Sequence, residues 1–241
     1  MGDLEGEKAN FIFWKGFAMR KIHYFIEMGR VILILMNSSF WMIYGIWRLS
    51  RLRQPIIGVF GGKGAYEGGK YATWARDFSY KIAKLGASVI TGGGEGIMEA
   101  ANCGARDGSD GAKNATLGIT VKGLDEDFSN PCAPVIKVNQ FFVRKWLLIH
   151  YSRAFVLFPG GVGTVDEFFE VINLSQIANL EAPIYLVGEK YWNDLIAWYH
   201  NAFQHQLISK ELQHAFIITD NIDEIVNQLK NDCSKGLNSW F

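Results

Sequence analysis

Cysteine, histidine and net charge are all scarce in this chain. Its three cysteines, Cys103, Cys132 and Cys233, are widely spaced and form no CxxC pair, a scattered, odd-numbered set that argues against a disulfide framework and against a zinc site. A reducing, cytoplasmic setting is the expectation. The five histidines include no i,i+4 pair, so no metal centre is expected. Lys and Arg number 24, and so do Asp and Glu. A chain without net charge exerts no long-range pull on a polyanion, which excludes nucleic acid as an expected partner. That holds although the first 60 residues carry eight basic and four acidic side chains. Low-complexity tracts and fixed-period repeats are missing too, and 241 residues of which 49% are hydrophobic can bury a full core.

Long apolar runs are absent with one exception. Residues 31–47 (VILILMNSSFWMIYGIW) carry no charge and are bracketed by Arg30 and by Arg48, Arg51 and Arg53. A helix needs about 17 apolar residues to cross a bilayer, and this run only meets that limit. A polar, basic stretch precedes it and no small-x-small pattern follows, so it does not read as a signal peptide. The expectation is a helix over residues 31–52 that packs on the globular body or on a second subunit, with membrane contact by residues 31–47 as the alternative. Asn37, Ser38 and Ser39 are expected to divide the run, with Ser38 or Ser39 capping the second piece and Trp41, Ile43, Trp47, Leu49 and Leu52 forming its apolar face. Pro55 ends it.

Beyond Pro55 the apolar runs shorten and become β-branched. Residues 56–60, 87–91, 116–121, 134–138, 154–158, 183–187 and 216–218 read as buried strands. Helical spacing fits Ala72, Ala75, Phe78, Ile82 and Leu85, and also residues 96–106, 141–151, 164–178, 191–205 and 222–229. Strands alternating with helices imply right-handed crossovers and a parallel sheet covered on both faces. The expected architecture is therefore α/β: a doubly wound, mostly parallel, Rossmann-like sheet over residues 55–241, with an N-terminal helical extension over residues 1–54.

Such sheets bind ligands at the carboxyl ends of their strands, and three of the turns expected there are rich in glycine: GGKG at 61–64, GGGEG at 92–96 and GGVGT at 160–164. Glycine lets backbone N–H groups approach an anion, and the second and third turns lead into helix starts, so phosphate is the natural guest. Two other phosphate patterns do not fit. Residues 64–70 match GxxxxGK, but Tyr71 occupies the position of the metal-binding Ser or Thr. No turn gives GxGxxG, because Asp166 stands where the third glycine after Gly161 and Gly163 would be.

The stretch PGGVGTVDE at 159–167 resembles the PGGxGTxxE signature of the LONELY GUY (LOG) family. Arg144-Lys145, within FVRK at 142–145, is similar to that family's Arg-Lys pair at the same distance upstream, and TGGGEGIMEAAN at 91–102 is similar to its other glycine turn. The resemblance implies a Rossmann-like phosphoribohydrolase that cleaves the N-glycosidic bond of nucleoside 5′-monophosphates to free base and ribose 5-phosphate. It further implies an AMP-like substrate, a homodimer, and neither cofactor nor metal. A non-catalytic nucleotide- or molybdenum-cofactor-binding module of the same fold is the alternative. An older label of the family, lysine decarboxylase, is not supported, since no histidine here is followed by lysine as the usual Schiff-base motif requires. The chain departs from the family pattern at Gly62-Lys63, where a small hydroxyl residue is usual, and at Arg153, where Asp is common.

Cleaving a nucleoside bond passes through an oxocarbenium-like ribosyl cation, which calls for a carboxylate near C1′ and an activated water. The resemblance makes Glu167 that carboxylate and Arg144 its partner, positioning phosphate or leaving base. Gly160, Gly161, Gly163 and Thr164 would hold the 5′-phosphate together with Lys145, and Gly93 and Gly94 would shape the facing wall. On local pattern alone, Thr164-x-x-Glu167 is equally a capping box that merely starts a helix. Arg144 and Lys145 could likewise be a solvated helix face.

Overall fold

The computed structural model describes residues 3–64, 66–124, 128–177 and 182–234, with side chains from residue 23 onward except at 66, 67 and 232–234. The Cys233 side chain and the expected helix end at Ala178 lie outside the described residues. By internal contacts the chain forms two units, residues 1–43 and 44–241.

A single helix, α1 (Asp3–Leu49), runs through the extension. The expected break at Asn37-Ser38-Ser39 does not occur, because neither serine caps a new helix. Ser38 Oγ donates to Ile34 O at 2.7 Å and Ser39 Oγ to Leu35 O at 2.8 Å. Each hydroxyl thus satisfies itself on the preceding turn and leaves the helical ladder intact. Leu49, in the last turn, and Leu52 beyond it are buried, whereas the side chains at 31–36 are exposed. The expected apolar face is therefore covered only at its end.

In the larger unit seven strands make one parallel sheet: β1 (Ile56–Phe60), β2 (Ser88–Thr91), β3 (Thr116–Val121), β4 (Val135–Val138), β5 (Ala154–Leu157), β6 (Ile184–Leu186) and β7 (Ile217–Ile218). Their order is β4-β3-β2-β1-β5-β6-β7, and every pair is parallel. Six helices connect or follow the strands: α2 (Lys70–Lys84), α3 (Ile97–Gly108), α4 (Phe141–His150), α5 (Val162–Ile177), α6 (Glu189–Gln204) and α7 (Ile222–Ser234). The first three strands and β5 are buried throughout, as their β-branched runs imply.

One face of the sheet is covered by α2, α3 and α7, whose Phe78, Ala101 and Ile225 share a core with Val59, Val89 and Val156. Gly104 and Gly108 let α3 press onto the backbone carbonyls of Arg76 and Tyr80 in α2. Right-handed crossovers put α4, α5 and α6 on the other face, where Phe168 of α5 packs on Trp192 of α6 with ring centroids 6.2 Å apart.

The expectation of no disulfide is overturned. Cys103 on α3 is bonded to Cys132 in the segment before β4, with Cα atoms 4.8 Å apart and a sequence separation of 29. Spacing along the chain hid the pair, because it is the fold of α3 against the β4 approach that brings the two thiols together.

Candidate functional site

The sheet order reverses between β1 and β5, so the loops leaving these strands diverge and open a crevice at their carboxyl ends. The floor of that crevice is backbone against backbone. Gly62 N donates to Pro159 O at 2.9 Å, and Ile97 N, at the start of α3, donates to Gly62 O at 3.2 Å. A Cβ on Gly62 would lie 3.0 Å from Gly160 Cα, and one on Gly160 would lie 2.7 Å from Gly62 N and would collide with Thr164 Oγ1. Gly62, one of the departures from the family pattern, thus sits where a side chain would crowd this seam. Arg153, the other, lies at the opposite end of β5, where its N–H donates to Ile56 O at 2.8 Å.

Gly161 and Gly163 differ from their neighbours. A Cβ on either would touch nothing within 4 Å, and neither has a positive φ. Both are exposed at the first turn of α5, where helical N–H groups lack intrahelical acceptors. Packing and backbone conformation therefore do not explain these two glycines, and the space beside them is open to an anion at the helix start.

The loop is held from the side by a residue with no sequence signal of its own. Tyr191, in the first turn of α6, donates its hydroxyl to Gly160 O in a short hydrogen bond. Because the peptide is trans, fixing that carbonyl turns the N–H of Gly161 the opposite way. Only the return of α6 past β5 brings Tyr191 here, and no local pattern marks it.

Arg144 and Glu167, 23 positions apart in sequence, come together. Arg144 Nη2 lies 3.6 Å from Glu167 Oε1, with both side chains about nine-tenths buried. Arg144 Nε donates to Ile119 O of β3 at 3.0 Å, which fixes the guanidinium plane. Gly92, after β2, leaves space for it, since a Cβ there would lie 2.5 Å from Nη2. Burial raises the Glu167 carboxyl to about 7 from an ordinary value of 4.5, against the opposing pull of Arg144 and Lys145 and with Asp166 and Glu170 adding to the rise. The group is thus poised to hold or release a proton near neutrality.

The capping-box reading of Thr164 and Glu167 does not hold. Gly161 O accepts from Thr164 N at 3.0 Å and from Val165 N at 3.2 Å, so Gly161 is the N-cap. Thr164 is the third helical residue and Glu167 lies nearly a full turn further on. The carboxylate is aimed at Arg144 instead of at the helix end.

Two expected binding residues are otherwise engaged. Lys145 Nζ bridges Asp166 Oδ2 at 2.7 Å and Glu170 Oε2 at 2.8 Å. Burial works against its charge, but the bonds to the two carboxylates outweigh burial and raise its pKa. It ties α4 to α5 and is not free for phosphate. The N–H of Gly93 donates to Thr91 Oγ1 at 3.0 Å, and its φ of +78° and its contact with Gly118 explain the glycine. Gly94 beside it is buried. Beneath them Asn102 joins Thr91, Thr116 and Asn130 through bonds of 2.7 to 3.0 Å, one residue from the Cys103–Cys132 bridge. Among the described residues no cluster of His, Cys, Asp and Glu could hold a metal ion.

Residues 98–229, more than half the chain, match the family model described as possible lysine decarboxylase. The cytokinin riboside 5′-monophosphate phosphoribohydrolase LOG5 of Arabidopsis thaliana is 27% identical over 71% of this chain and 75% of its own. A cytokinin riboside 5′-monophosphate phosphoribohydrolase of Rhodococcoides fascians is 25% identical over 73% and 89%. Among solved structures, the molybdenum cofactor binding protein of Rippkaea orientalis superposes with a TM-score of 0.56 at 20% identity over 75% of this chain and 98% of that one, a likeness of fold.

Proposed function

The chain belongs to the LONELY GUY (LOG) family, and from that premise we propose that it hydrolyses the N-glycosidic bond of nucleoside 5′-monophosphates to free base and ribose 5-phosphate. The observation that carries the reading is the buried Arg144–Glu167 pair, whose Glu167 lies on α5, the helix that the open glycine turn at Gly161 and Gly163 begins. The N–H groups of that first turn hold the 5′-phosphate. Glu167 then faces the developing positive charge at C1′. As the bond from C1′ to the base nitrogen breaks, the Glu167 carboxylate takes a proton from water, the water oxygen bonds to C1′, and that proton passes on from Glu167 to the departing base, which regenerates the carboxylate. Arg144 orients the carboxylate and holds it ionised for part of the time at neutral pH.

The decarboxylase description of the matched family does not fit these residues. A Schiff-base lysine must lose its proton readily, whereas Lys145, the lysine beside Glu167, is held protonated by two carboxylates.

The test is incubation with a panel of nucleosides and nucleoside mono- and triphosphates, with base and ribose 5-phosphate separated by chromatography. Release from monophosphates alone is expected. Nucleotide binding without release of base would overturn the proposal in favour of a carrier or sensor of the same fold.

A further inference from the structure

We propose that α1, over the exposed part of the stretch from residue 23 to residue 49, crosses a lipid bilayer and anchors the α/β domain to a membrane, with Leu49 in its last turn buried in protein. This stretch, His23–Leu49, has 27 residues and a mean hydropathy of 1.3, and 6% of its most apolar window is buried. Low burial is what separates it from the core helix of a soluble protein. Val31, Ile32, Leu33, Ile34, Leu35 and Met36 are six successive residues, each at least 50% exposed. Six residues sweep more than one and a half turns, so apolar surface encircles the helix. A second copy of the chain would cover one stripe and leave the rest in water. A helix lying flat on a membrane needs a polar face, which residues 31–36 do not supply. A bilayer covers every face at once.

The remaining features fit that solvent. At about 1.5 Å per residue the stretch is about 40 Å long, enough for a hydrocarbon layer of about 30 Å and its borders. Charge is confined to its ends. Arg30 pairs with Glu27 at 2.6 Å near one. At the other, Arg48 Nη1 donates to the Tyr44 hydroxyl at 3.0 Å and Arg51 stands 3.9 Å over the Trp47 ring, an arrangement suited to the interface, where aromatic and basic side chains anchor spanning helices. Ser38 and Ser39, mid-helix, return their hydroxyls to carbonyls of their own helix, as hydrocarbon requires of any polar group.

The experiment uses the full chain. Membranes from expressing cells are washed with high salt and with alkaline carbonate, then extracted with detergent. The protein is also reconstituted in vesicles of phosphatidylcholine and phosphatidylglycerol and digested with proteinase K. The expected result is retention through both washes, release by detergent, and a protected fragment covering roughly residues 23–49. Replacing Leu33→Lys and Leu35→Lys together puts charge on two faces and is expected to lower the membrane-bound fraction at least tenfold, as burying two ammonium groups mid-bilayer is disfavoured. If that variant does not fold, protection of the wild-type fragment decides the matter. A soluble oligomer without detergent, stripping by salt or carbonate, an unprotected helix, or recovery of a chain cleaved after the helix would each overturn the proposal.

Discussion

Glu167 carries the sharpest expectations. Its carboxyl titrates at about 7 in the folded protein against 4.5 ordinarily, so between those values the folded chain keeps a proton that the unfolded chain has released. The resulting stability is complete below pH 4.5 and is lost as pH rises through 7. Glu167→Gln cannot lose it. Its melting temperature is expected to match the wild type near the acid end and to exceed it at about pH 8, while turnover falls by roughly a hundredfold or more because no carboxylate remains to accept a proton. In the wild type, turnover is expected to rise with pH through about 7. A Gln variant with near-normal turnover would remove Glu167 from the mechanism. The two kinds of glycine separate in the same way. Gly161→Val meets open space and is expected to leave the fold intact while abolishing the preference for monophosphate over nucleoside in calorimetry. Gly160→Ala must displace Thr164 and Gly62 and is expected to lower the melting temperature itself. Tyr191→Phe loses one hydrogen bond to Gly160, about 1 kcal/mol of stability. It is expected to weaken monophosphate binding several-fold and to leave nucleoside binding unchanged, and equal losses for both ligands would show that Tyr191 only packs.

At the level of elements, sequence periodicity located most of the parallel strands, since a strand buried on both faces reads as a continuous β-branched run. It was silent wherever one element answers to another. The continuity of α1 depends on where two serine hydroxyls turn, and the start of α5 depends on Gly161 accepting the first helical bonds ahead of Thr164. The local pattern of Thr164 and Glu167 suggested a cap only because it could not show Arg144 arriving from α4. The join between α3 and the β4 approach was equally hidden. There the Cys103–Cys132 bond closes a loop of 29 residues, which in the chain-entropy account is worth about 3–4 kcal/mol. Reductant is expected to lower the melting temperature accordingly, and thiol titration of the denatured, unreduced chain is expected to find one free cysteine, Cys233. Three free thiols would show that the bridge does not form.

For the whole molecule, the doubly wound order was foreshadowed by the alternation of strands and helices, and with it the end of the sheet where the glycine turns gather. Of the side chains that meet there, the family resemblance named Arg144 and Glu167 while nothing marked Tyr191, and periodicity could show none of these meetings because the three sit on separate helices. One of those meetings extends to a position with no reactive group at all. Gly92, where the chain leaves β2, makes room for Nη2 of Arg144, and Arg144 is the foremost influence favouring the charged form of Glu167. A single methyl group at Gly92 would push the guanidinium away, and the carboxyl would then gain its charge only in more alkaline solution. On the proposed mechanism the pH dependence of turnover rests on an empty space at the edge of a different strand, so that Gly92→Ala is expected to move the rising limb of the rate profile upward in pH without altering any group that reacts.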